Sequence, residues 1–459
     1  MRGVVVGDRV AAQVDKSIEA VALYIACLKV GAVFVPLNSA YTLAELEYFL
    51  RDCEPRVAVV RPQTLESVAP IAKAANVVHV ETLDANGGGS LLALVASSPR
   101  EFVRFADDSS ALAALLYTSG TTGRSKGAML TRGNLASNAV TLLDAWRSNE
   151  ADVLLHALPI FHVHGLFVAI NLVLASGSSM LFLPKFDGDE VVRLLPQVTV
   201  LMGVPTFYTR LLQHPGLGVE CARNMRLFIS GSAPLLAETH REFRQRTGHS
   251  ILERYGMSET LMNTSNPYDG ERVPGSVGPP LPEVEVRITD AETGGALTAG
   301  EPIGMIEVRG PNVCSGYWRL PEKTAAEFRS DGFFVTGDLG RIDERGYVHI
   351  VGRGKDLIIT GGYNVYPIEV ESEIDALAGV LESAVIGLPH ADFGEAVTAI
   401  VVRKPGATLD EAAIRAQLEQ RLANFKLPKR VLFVNELPRN TMGKVQKSTL
   451  RQRYRDLYG

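Results

Sequence analysis

Residues 117 to 127 read Tyr117-Thr118-Ser119-Gly120-Thr121-Thr122-Gly123-Arg124-Ser125-Lys126-Gly127. This stretch follows an apolar run, Leu112–Leu116, that has the composition of a buried strand. Its glycines and hydroxyl groups let many N–H and O–H donors converge on phosphate oxygens, and Arg124 and Lys126 add positive charge. It is not a Walker loop, because Lys126 is followed by glycine rather than serine or threonine. A flexible surface loop has a similar composition, but the preceding strand and the length of the stretch favour phosphate binding.

The composition is that of a multidomain globular protein. At 459 residues the chain exceeds one ordinary core, so we expect two or more domains. The formal net charge of −5 provides no basic footprint for nucleic-acid binding. The most apolar early stretch, residues 20–37, is interrupted by Lys29, Gly31 and Pro36, so neither a membrane span nor a signal peptide is expected.

The four cysteines, Cys27, Cys53, Cys221 and Cys314, are scattered along the chain. None forms a C-x-x-C pair, so neither a zinc site nor a disulfide framework is indicated. This usage fits a reduced compartment, and we expect a cytoplasmic protein.

The first two thirds of the chain alternate between helix and strand signals. Ser17 predicts the start of a helix that ends at Gly31, and Ala32–Leu37 follows as a buried strand. Thr42 and Glu45 have the spacing of a capping box at the start of the next helix. Further strands are predicted at Val57–Val60, Val198–Val204 and Leu227–Ser230, with a helix at Pro205–Leu212. Helices that alternate with short apolar strands predict a parallel, layered α/β architecture.

From about residue 275 glycine and proline become frequent and the strands look antiparallel. Strands are predicted at 284–288, 305–309 and 347–351, then at 383–386 and 398–402, with a late helix at 412–422. We place a domain boundary at Lys355, which gives domains of residues 1–354 and 355–459. The predicted fold class is α/β, with a large layered N-terminal domain that includes a turn-rich β region and a small α+β C-terminal domain.

Together with four later motifs, residues 117–127 resemble the adenylate-forming superfamily of acyl-CoA synthetases, luciferases and peptide-synthetase adenylation domains. The resemblance covers essentially the whole chain, and the motifs follow the family's order. They are Tyr255-Gly256-Met257-Ser258-Glu259-Thr260, Phe334-Val335-Thr336-Gly337-Asp338, Gly352-Arg353-Gly354-Lys355-Asp356 and Asn440-Thr441-Met442-Gly443-Lys444.

The resemblance implies an ATP site. Tyr255 would stack on adenine, and Asp338, whose carboxylate can accept from ribose hydroxyls, would bind the ribose with Arg353 beside it. A core tyrosine, a turn-stabilising aspartate and a surface arginine are the alternatives. The implied nucleotide-binding residues are Thr118, Ser119, Gly120, Thr121, Thr122, Gly123, Gly231, Ser232, Ala233, Arg254, Tyr255, Gly256, Asp338 and Arg353.

The implied catalytic residues are Glu259, Thr260, Lys126 and Lys444. Glu259 and Thr121 would bind Mg²⁺, for which hard oxygen ligands are suited, and Thr260 would reach the α-phosphate. Lys444 would stabilise the charge that develops as pyrophosphate leaves. A solvated surface glutamate and an ordinary surface lysine are the competing interpretations of Glu259 and Lys444.

The resemblance also implies a mobile C-terminal domain. Lys355 stands at the family's hinge position, about which this domain would swing between two half-reactions. One orientation would present Lys444 to the nucleotide. The other would present Gly361 and Gly362, whose small size would let the thiol arm of coenzyme A pass.

The implied acid-binding residues are Arg210, His162, Val163, Met262 and Ser232. Arg210, predicted near the first turn of the helix after Pro205, is expected to be buried and to pair with a second substrate carboxylate; a surface arginine is the alternative. The spacing of His162 and His164 could also bind a metal, but no further ligand cluster accompanies them. This combination resembles the malonyl-CoA synthetases within the superfamily, and Val163 and Met262 would flank the α-carbon of the acid.

We therefore expect an AMP-forming acid–thiol ligase that uses malonate, ATP and coenzyme A, with no nucleic-acid or membrane partner. The alternatives are a ligase for methylmalonate or another small carboxylic acid, and a catalytically inactive nucleotide-binding relative. The chain begins at a segment that the family reaches only after several dozen residues, so the opening of the first subdomain is expected to be truncated. The sequence gives no oligomeric state.

Overall fold

The computed structural model describes residues 3–99, 101, 104–106, 108–118, 125–290, 293–297, 302–440 and 443–459. Four β-sheets are formed by these residues. Two of them are mostly parallel and lie in the first 265 residues, the third is antiparallel, and the fourth belongs to the C-terminal part. This arrangement confirms the predicted α/β fold class.

The first sheet has the strand order β4-β3-β1-β2-β5-β6, and every pair is parallel except β5–β6. Its strands are β1 (Arg9–Gln13), β2 (Val33–Pro36), β3 (Val57–Val60), β4 (His79–Thr82), β5 (Leu112–Thr118) and β6 (Lys126–Thr131). Its helices are α1 (Ile18–Val30), α2 (Leu43–Cys53), α3 (Leu65–Ala74) and α4 (Ser90–Ser97). Strands β2 and β3 are buried along their whole length, as expected for parallel strands covered on both faces.

Local signals at the first two helices act as predicted. The Ser17 side chain accepts from the backbone N–H of Ala20, and Gly31 ends α1 with a left-handed φ of 77°. Thr42 and Glu45 form the capping box of α2. These caps fix where the chain turns back into the strands of the first sheet.

The second sheet has the order β12-β11-β10-β9-β7-β8, with β12 antiparallel to β11 and the remaining pairs parallel. Its strands are β7 (Val153–His156), β8 (Ser179–Phe182), β9 (Val200–Gly203), β10 (Leu227–Ser230), β11 (Leu252–Met257) and β12 (Leu261–Ser265). The accompanying helices are α5 (Arg132–Ala145), α6 (Asn171–Ser176), α7 (Gly188–Leu194), α8 (Pro205–Gln213), α9 (Val219–Ala222) and α10 (Ala237–Thr247). A π-helix, His164–Ile170, precedes α6.

The third sheet is an antiparallel meander that starts with β13 (Glu285–Thr289). It continues through β14 (Gly304–Arg309), β15 (Phe334–Ile342) and β16 (Val348–Arg353), and α11 (Pro321–Glu327) lies between β14 and β15. A short 3₁₀ turn, Gly354–Asp356, links this sheet to the fourth.

The fourth sheet comprises β17 (Ile358–Thr360), β18 (Tyr363–Val365), β19 (Val380–His390), β20 (Gly394–Arg403) and β21 (Arg430–Val434), in the order β18-β17-β20-β19 with β21 on β20. Its helices are α12 (Pro367–Asp375), α13 (Glu411–Leu418) and α14 (Lys447–Arg453). The late helix therefore ends at Leu418, four residues before its predicted end at Leu422. The break at residues 354–356 coincides with the change of sheet.

Separate apolar clusters cover the faces of the two large sheets. On the second sheet, one cluster centres on Trp146 and Ile229 and another on Phe228 and Phe243. Trp146 is fully buried, and its indole N–H donates to Ser265 Oγ at 2.9 Å. None of the helices in the described part of the chain has the length and apolar character to span a bilayer.

Candidate active site

The end of β5 and the turn between β11 and β12 meet in a buried polar site. Thr118 is the last residue of β5, and its hydroxyl donates to Glu259 Oε1 at 3.1 Å. Ligand sites in sheets of this type lie at the carboxyl ends of the strands. Residues Ser119, Gly120, Thr121, Thr122, Gly123 and Arg124 lie outside the described residues, so their predicted roles stay predictions.

Glu259 is held by neighbours from distant parts of the chain. The Tyr317 hydroxyl oxygen lies 3.2 Å from its Oε1, and the N–H of Cys314 donates to its backbone oxygen at 2.7 Å. Burial raises the pKa of Glu259, while the Thr118 hydrogen bond and the charges of Lys126 and Arg353 act in the opposite direction.

A buried carboxylate is more stable as an anion once a cation reaches it. The hydroxyl of the adjacent Thr260 is fully buried and has no hydrogen-bond partner among the described residues. Glu259 therefore presents carboxylate oxygens of the type that Mg²⁺ prefers, which fits the predicted ion, and the Thr260 hydroxyl is available to a phosphate oxygen.

Lys126 is paired with a residue that the sequence did not single out. Its Nζ lies 2.9 Å from Glu327 Oε1 and 4.2 Å from the centre of the Tyr317 ring. Glu327 also bonds Lys323 at 2.9 Å and accepts a hydrogen bond from the Tyr317 hydroxyl. The lysine next to the phosphate stretch is thus positioned by α11, which lies some 200 residues later in the chain.

Tyr255 and Asp338, both buried, form a second cluster with the half-buried Arg353. Asp338 accepts from the Tyr255 hydroxyl at 2.5 Å through Oδ2, and its Oδ1 pairs with Arg353 Nε at 2.8 Å. Asp338 and Arg353 are register partners on β15 and β16, which explains why two distant sequence motifs meet. The negative charge of Asp338 raises the pKa of Arg353. The ribose and adenine roles of these residues stay predictions.

Gly256 allows β11 and β12 to approach closely at this cluster. A Cβ at residue 256 would lie 1.9 Å from the carbonyl oxygen of Leu261 and 2.5 Å from Met262 Cε. Met262 is fully buried against this glycine, whereas Val163 packs in a different apolar cluster. Their predicted contacts with the acid stay predictions.

Arg254 is a buried cation with incomplete pairing. It is 3% exposed, and its Nε and Nη2 have no hydrogen-bond partner among the residues that the structure describes. Burial lowers its pKa to about 9. Its guanidinium packs against Gly231, where a Cβ would lie 2.5 Å from Arg254 Cζ. Such a group strongly favours an anion, because a desolvated charge is costly when no partner compensates it.

Two neutral histidines lie beside Arg254. His164 Nδ1 is 3.3 Å from Ser232 Oγ, and the N–H of His164 donates to His162 Nδ1 at 3.3 Å. Burial, followed by the charges of Arg254 and Lys444, lowers the pKa of His162 to about 4. Burial and Arg254 likewise lower the pKa of His164. His162 therefore lies within the electrostatic range of both cations.

The prediction that Arg210 is buried is wrong. Arg210 is exposed and lies in the last turn of α8. The buried face of that helix is formed by Pro205, Phe207, Tyr208 and Leu211, and helical periodicity places Arg210 outside this stripe. The alternative interpretation, a surface arginine, is the one observed.

Lys444 reaches the site from the C-terminal domain. It is half-buried, and burial and Arg353 lower its pKa to about 8, with Asp338 acting in the opposite direction. The preceding Gly443 touches the first turn of α8, where a Cβ would lie 2.8 Å from Thr206 Oγ1. The hairpin that carries Lys444 is therefore seated on the N-terminal domain.

The remaining predicted residues of the C-terminal domain are exposed. Lys355 lies on the turn that links the third and fourth sheets, and Asp356 beside it pairs with Arg451 at 2.7 Å. Gly361 and Gly362 form the β17–β18 turn with left-handed φ values of 57° and 82°. Their predicted hinge and thiol-channel roles stay predictions.

Two family models match this chain. The model described as AMP-binding enzyme matches residues 1–318, and the model described as AMP-binding enzyme C-terminal domain matches residues 369–444. The chain belongs to the AMP-binding enzyme family. This confirms the superfamily that the sequence motifs indicated.

Named relatives of this AMP-binding enzyme include ligases for different acids. It is 38% identical to the mitochondrial malonate–CoA ligase of Mus musculus, over 92% of this chain and 77% of that protein. It is 36% identical to the long-chain-fatty-acid–CoA ligase of Bacillus subtilis, over 97% of this chain and 85% of that protein. Similarity to these two proteins therefore does not determine which carboxylic acid is the substrate.

Solved structures give closer matches. The ATP-bound MatB of Rhodopseudomonas palustris is 63% identical, with a TM-score of 0.98 over 100% of this chain and 91% of that one. The apo form of the same protein gives a TM-score of 0.85 over the same coverage. The AMP-binding enzyme described here thus has the shape of the ATP-bound form.

Proposed function

We propose that this AMP-binding enzyme is a malonate–CoA ligase. It joins malonate to ATP to give malonyl-AMP and pyrophosphate, then transfers the malonyl group to coenzyme A with release of AMP. The observation that carries the choice of acid is the buried, incompletely paired guanidinium of Arg254. The similarity to MatB and to malonate–CoA ligases supports the same choice.

Malonate matches the charges around His162. It has two carboxylates separated by one carbon, and His162 lies within the electrostatic range of both Arg254 and Lys444. One carboxylate would pair with Arg254, while the other would face the α-phosphorus near Lys444. A monocarboxylate would leave Arg254 desolvated and unpaired, which is costly. We therefore assign Arg254 to the acid rather than to the nucleotide.

In the first step a malonate oxygen attacks the α-phosphorus and the bond to pyrophosphate breaks. The Lys444 ammonium stabilises the charge on the departing group, and Thr260 approaches the α-phosphate. Glu259, with the predicted Thr121, would hold Mg²⁺, which neutralises triphosphate charge when bound. Positioning and charge account for this step without an enzyme nucleophile.

In the second step the thiol sulfur of coenzyme A attacks the acyl carbon of malonyl-AMP, and AMP leaves. The hairpin of Lys444 occupies the site in the observed orientation, so the thiol needs another one. A swing about Lys355 would bring the Gly361–Gly362 turn to the thiol path.

We place the enzyme in the cytoplasm, where its free cysteines, three of them buried, would stay reduced.

A panel of acids tests this function. AMP formation is measured with malonate, 2-methylmalonate, succinate, acetate and butyrate, with and without coenzyme A. Malonate should be the best substrate, and Arg254→Met should reduce its kcat/KM by about 100-fold or more because a bidentate charge pair is lost. Acetate activity should change far less.

Two controls complete the panel. Arg210→Ala should leave malonate activity unchanged, because Arg210 is exposed. Arg254→Met should not destabilise the unliganded enzyme, because it removes a costly buried charge. A wild-type preference for acetate or butyrate, or full malonate activity in a folded Arg254→Met enzyme, would refute the assignment.

A further inference from the structure

A half-buried lysine lies between the two large sheets, outside the residues assigned to the nucleotide. Lys16 follows β1, and its Nζ lies 2.8 Å from both Nδ1 and the backbone oxygen of His156, the last residue of β7. The same Nζ is 4.3 Å from the centre of the Phe182 ring. No carboxylate among the described residues pairs with it. Lys16 therefore connects the first sheet to the second through a histidine instead of an ion pair.

The hydrogen bonds of His156 determine its tautomer. Its Nε2 lies 2.8 Å from the carbonyl oxygen of Gly165, which can only accept, so Nε2 carries the proton. Burial and the nearby Lys16 lower the pKa of His156 to about 3, so the ring is neutral. In a neutral ring the other nitrogen is an acceptor, and Nδ1 accepts from Lys16.

Gly165 connects this chain of bonds to the acid-binding residues. It directly follows His164 in the π-helix, and a Cβ at residue 165 would lie 2.1 Å from the carbonyl oxygen of Pro159. The N–H of Leu166 in turn donates to the carbonyl oxygen of His162 at 3.0 Å. A π-helical turn is a locally irregular segment that often marks a functional site. The orientation of the Gly165 peptide therefore affects the orientation of both His162 and His164.

This arrangement is costly for folding alone. A lysine withdrawn from water without a carboxylate partner loses solvation that an apolar side chain would not lose. Desolvation lowers the pKa of Lys16 to about 6, in keeping with this cost. Methionine could fill the same space without this desolvation cost. The hydrogen bonds of Lys16 to His156 therefore explain the lysine better than packing does.

We propose that Lys16 and His156 are positioning residues that hold the His162–His164 segment in its acid-binding orientation. Lys16 bonds both Nδ1 and the backbone oxygen of His156 and so fixes the ring, and His156 holds the Gly165 carbonyl. This inference rests on the proposed function, because the test measures the KM for malonate. Neither residue is among those assigned to the acid or the nucleotide.

The test compares Lys16→Met, His156→Gln and His156→Asn. Glutamine can reproduce the Nε2 donor to Gly165 but loses the acceptor for Lys16, whereas asparagine keeps an acceptor near Lys16 but falls short of Gly165. We expect Lys16→Met and His156→Asn to raise the malonate KM about tenfold, which corresponds to about 1.4 kcal/mol and is near the upper end for the loss of one hydrogen bond. His156→Gln should lose less, and the ATP KM should stay within about twofold in all three. Lys29→Met, at an exposed lysine of α1, is the matched control.

Pyrophosphate release is measured against malonate and against ATP, with thermal unfolding as the folding control. Malonate KM values within about twofold of wild type in folded Lys16→Met and His156→Asn would overturn the proposal. Equal rises in the malonate KM and the ATP KM would overturn it as well. If Lys16→Met fails to fold, the comparison of His156→Gln with His156→Asn still tests the proposal. An equal rise in malonate KM in these two variants contradicts the role of the Gly165 bond. Arg254→Met is run alongside. If Arg254→Met keeps its malonate activity, the proposed function is refuted. If Arg254→Met loses malonate activity while the Lys16 and His156 variants keep it, only the positioning role is refuted.

Discussion

The Tyr255 hydroxyl donates a 2.5 Å hydrogen bond to Asp338 Oδ2, and both side chains are buried. Arg353 holds the other oxygen of the same carboxylate. The carboxylate that is predicted to face the ribose is therefore already oriented by two neighbours before any ligand arrives. Such preorganisation reduces the entropy that must be lost on binding.

Removal of the hydroxyl should weaken ATP binding. In Tyr255→Phe the Oδ2 atom stays buried without its donor, which costs about 1–3 kcal/mol in stability. The freed carboxylate should also raise the ATP KM several-fold, while the malonate KM changes little. Steady-state pyrophosphate release at varied ATP and varied malonate measures both constants.

Tyr208→Phe provides the control for this experiment. It also removes a buried tyrosine hydrogen bond, to the Ile229 carbonyl at 2.6 Å, but does not touch Asp338. It should lose comparable stability and keep the ATP KM. Equal rises in the ATP KM of both variants would show that the effect is general loosening rather than ribose positioning.

Substitution of Gly443 should separate the two half-reactions. Residue 443 has a φ of +73°, and a Cβ there would collide with Thr206 Oγ1. The left-handed backbone also costs a non-glycine residue about 1–2 kcal/mol, but that strain is local to residue 443, whereas the collision with Thr206 belongs to this orientation. Gly443→Ala should therefore disfavour the orientation that presents Lys444 and slow malonyl-AMP formation at least tenfold, a factor that corresponds to about 1.4 kcal/mol.

Thioester formation from supplied malonyl-AMP should be nearly unaffected in Gly443→Ala, because that step uses the other orientation. The double variant Thr206→Ala/Gly443→Ala removes the collision but keeps the backbone strain, so it should recover part of the adenylation rate. Equal loss of both half-reactions would contradict the assignment of this orientation to adenylation.

Much of the fold could be predicted because its signals are local. The caps at Ser17 and Thr42 act through residues three positions away, and β3 and β10 were predicted with their observed bounds. The end of the late helix was misplaced by four residues, because Leu422 continues the helical spacing of Leu418 although residues 419–422 are not helical. Helix ends of this kind depend on packing that sequence periodicity does not contain.

The site was less predictable, because its charges are matched across long sequence distances. Arg210 and Arg254 are both arginines next to apolar stretches, and the family pattern favoured the wrong one as the buried residue. Position 254 lies within β11, whose first four residues are all buried, and its place in a buried strand was the available signal. The pairing of Lys126 with Glu327 had no sequence signal, because α11 lies about 200 residues away.

The pH dependence of adenylation should report on Lys444. Burial and Arg353 lower its pKa to about 8, so the ammonium is present below that pH and lost above it. The rate of pyrophosphate release by the free enzyme, read as kcat/KM for ATP, should fall as the pH rises through 8. Lys444→Arg keeps its charge to higher pH, so its residual activity should lack this fall. A wild-type decline that persists unchanged in Lys444→Arg would assign the titration to another group.

The stability of the enzyme should depend on Lys16 in alkaline solution. The pKa of Lys16 is about 6 in the folded protein against an ordinary value of 10.5, so between these values the unfolded chain binds one more proton than the folded one. Stability should therefore rise with pH across this window, by up to about 1.4 kcal/mol per pH unit from this group. Lys16→Met removes the titrating group, so its free energy of unfolding should depend less steeply on pH between 7 and 9, where urea denaturation measures it. Lys29→Met, at an exposed site, should keep the wild-type slope; identical slopes in all three proteins would mean that Lys16 stays charged in the folded enzyme.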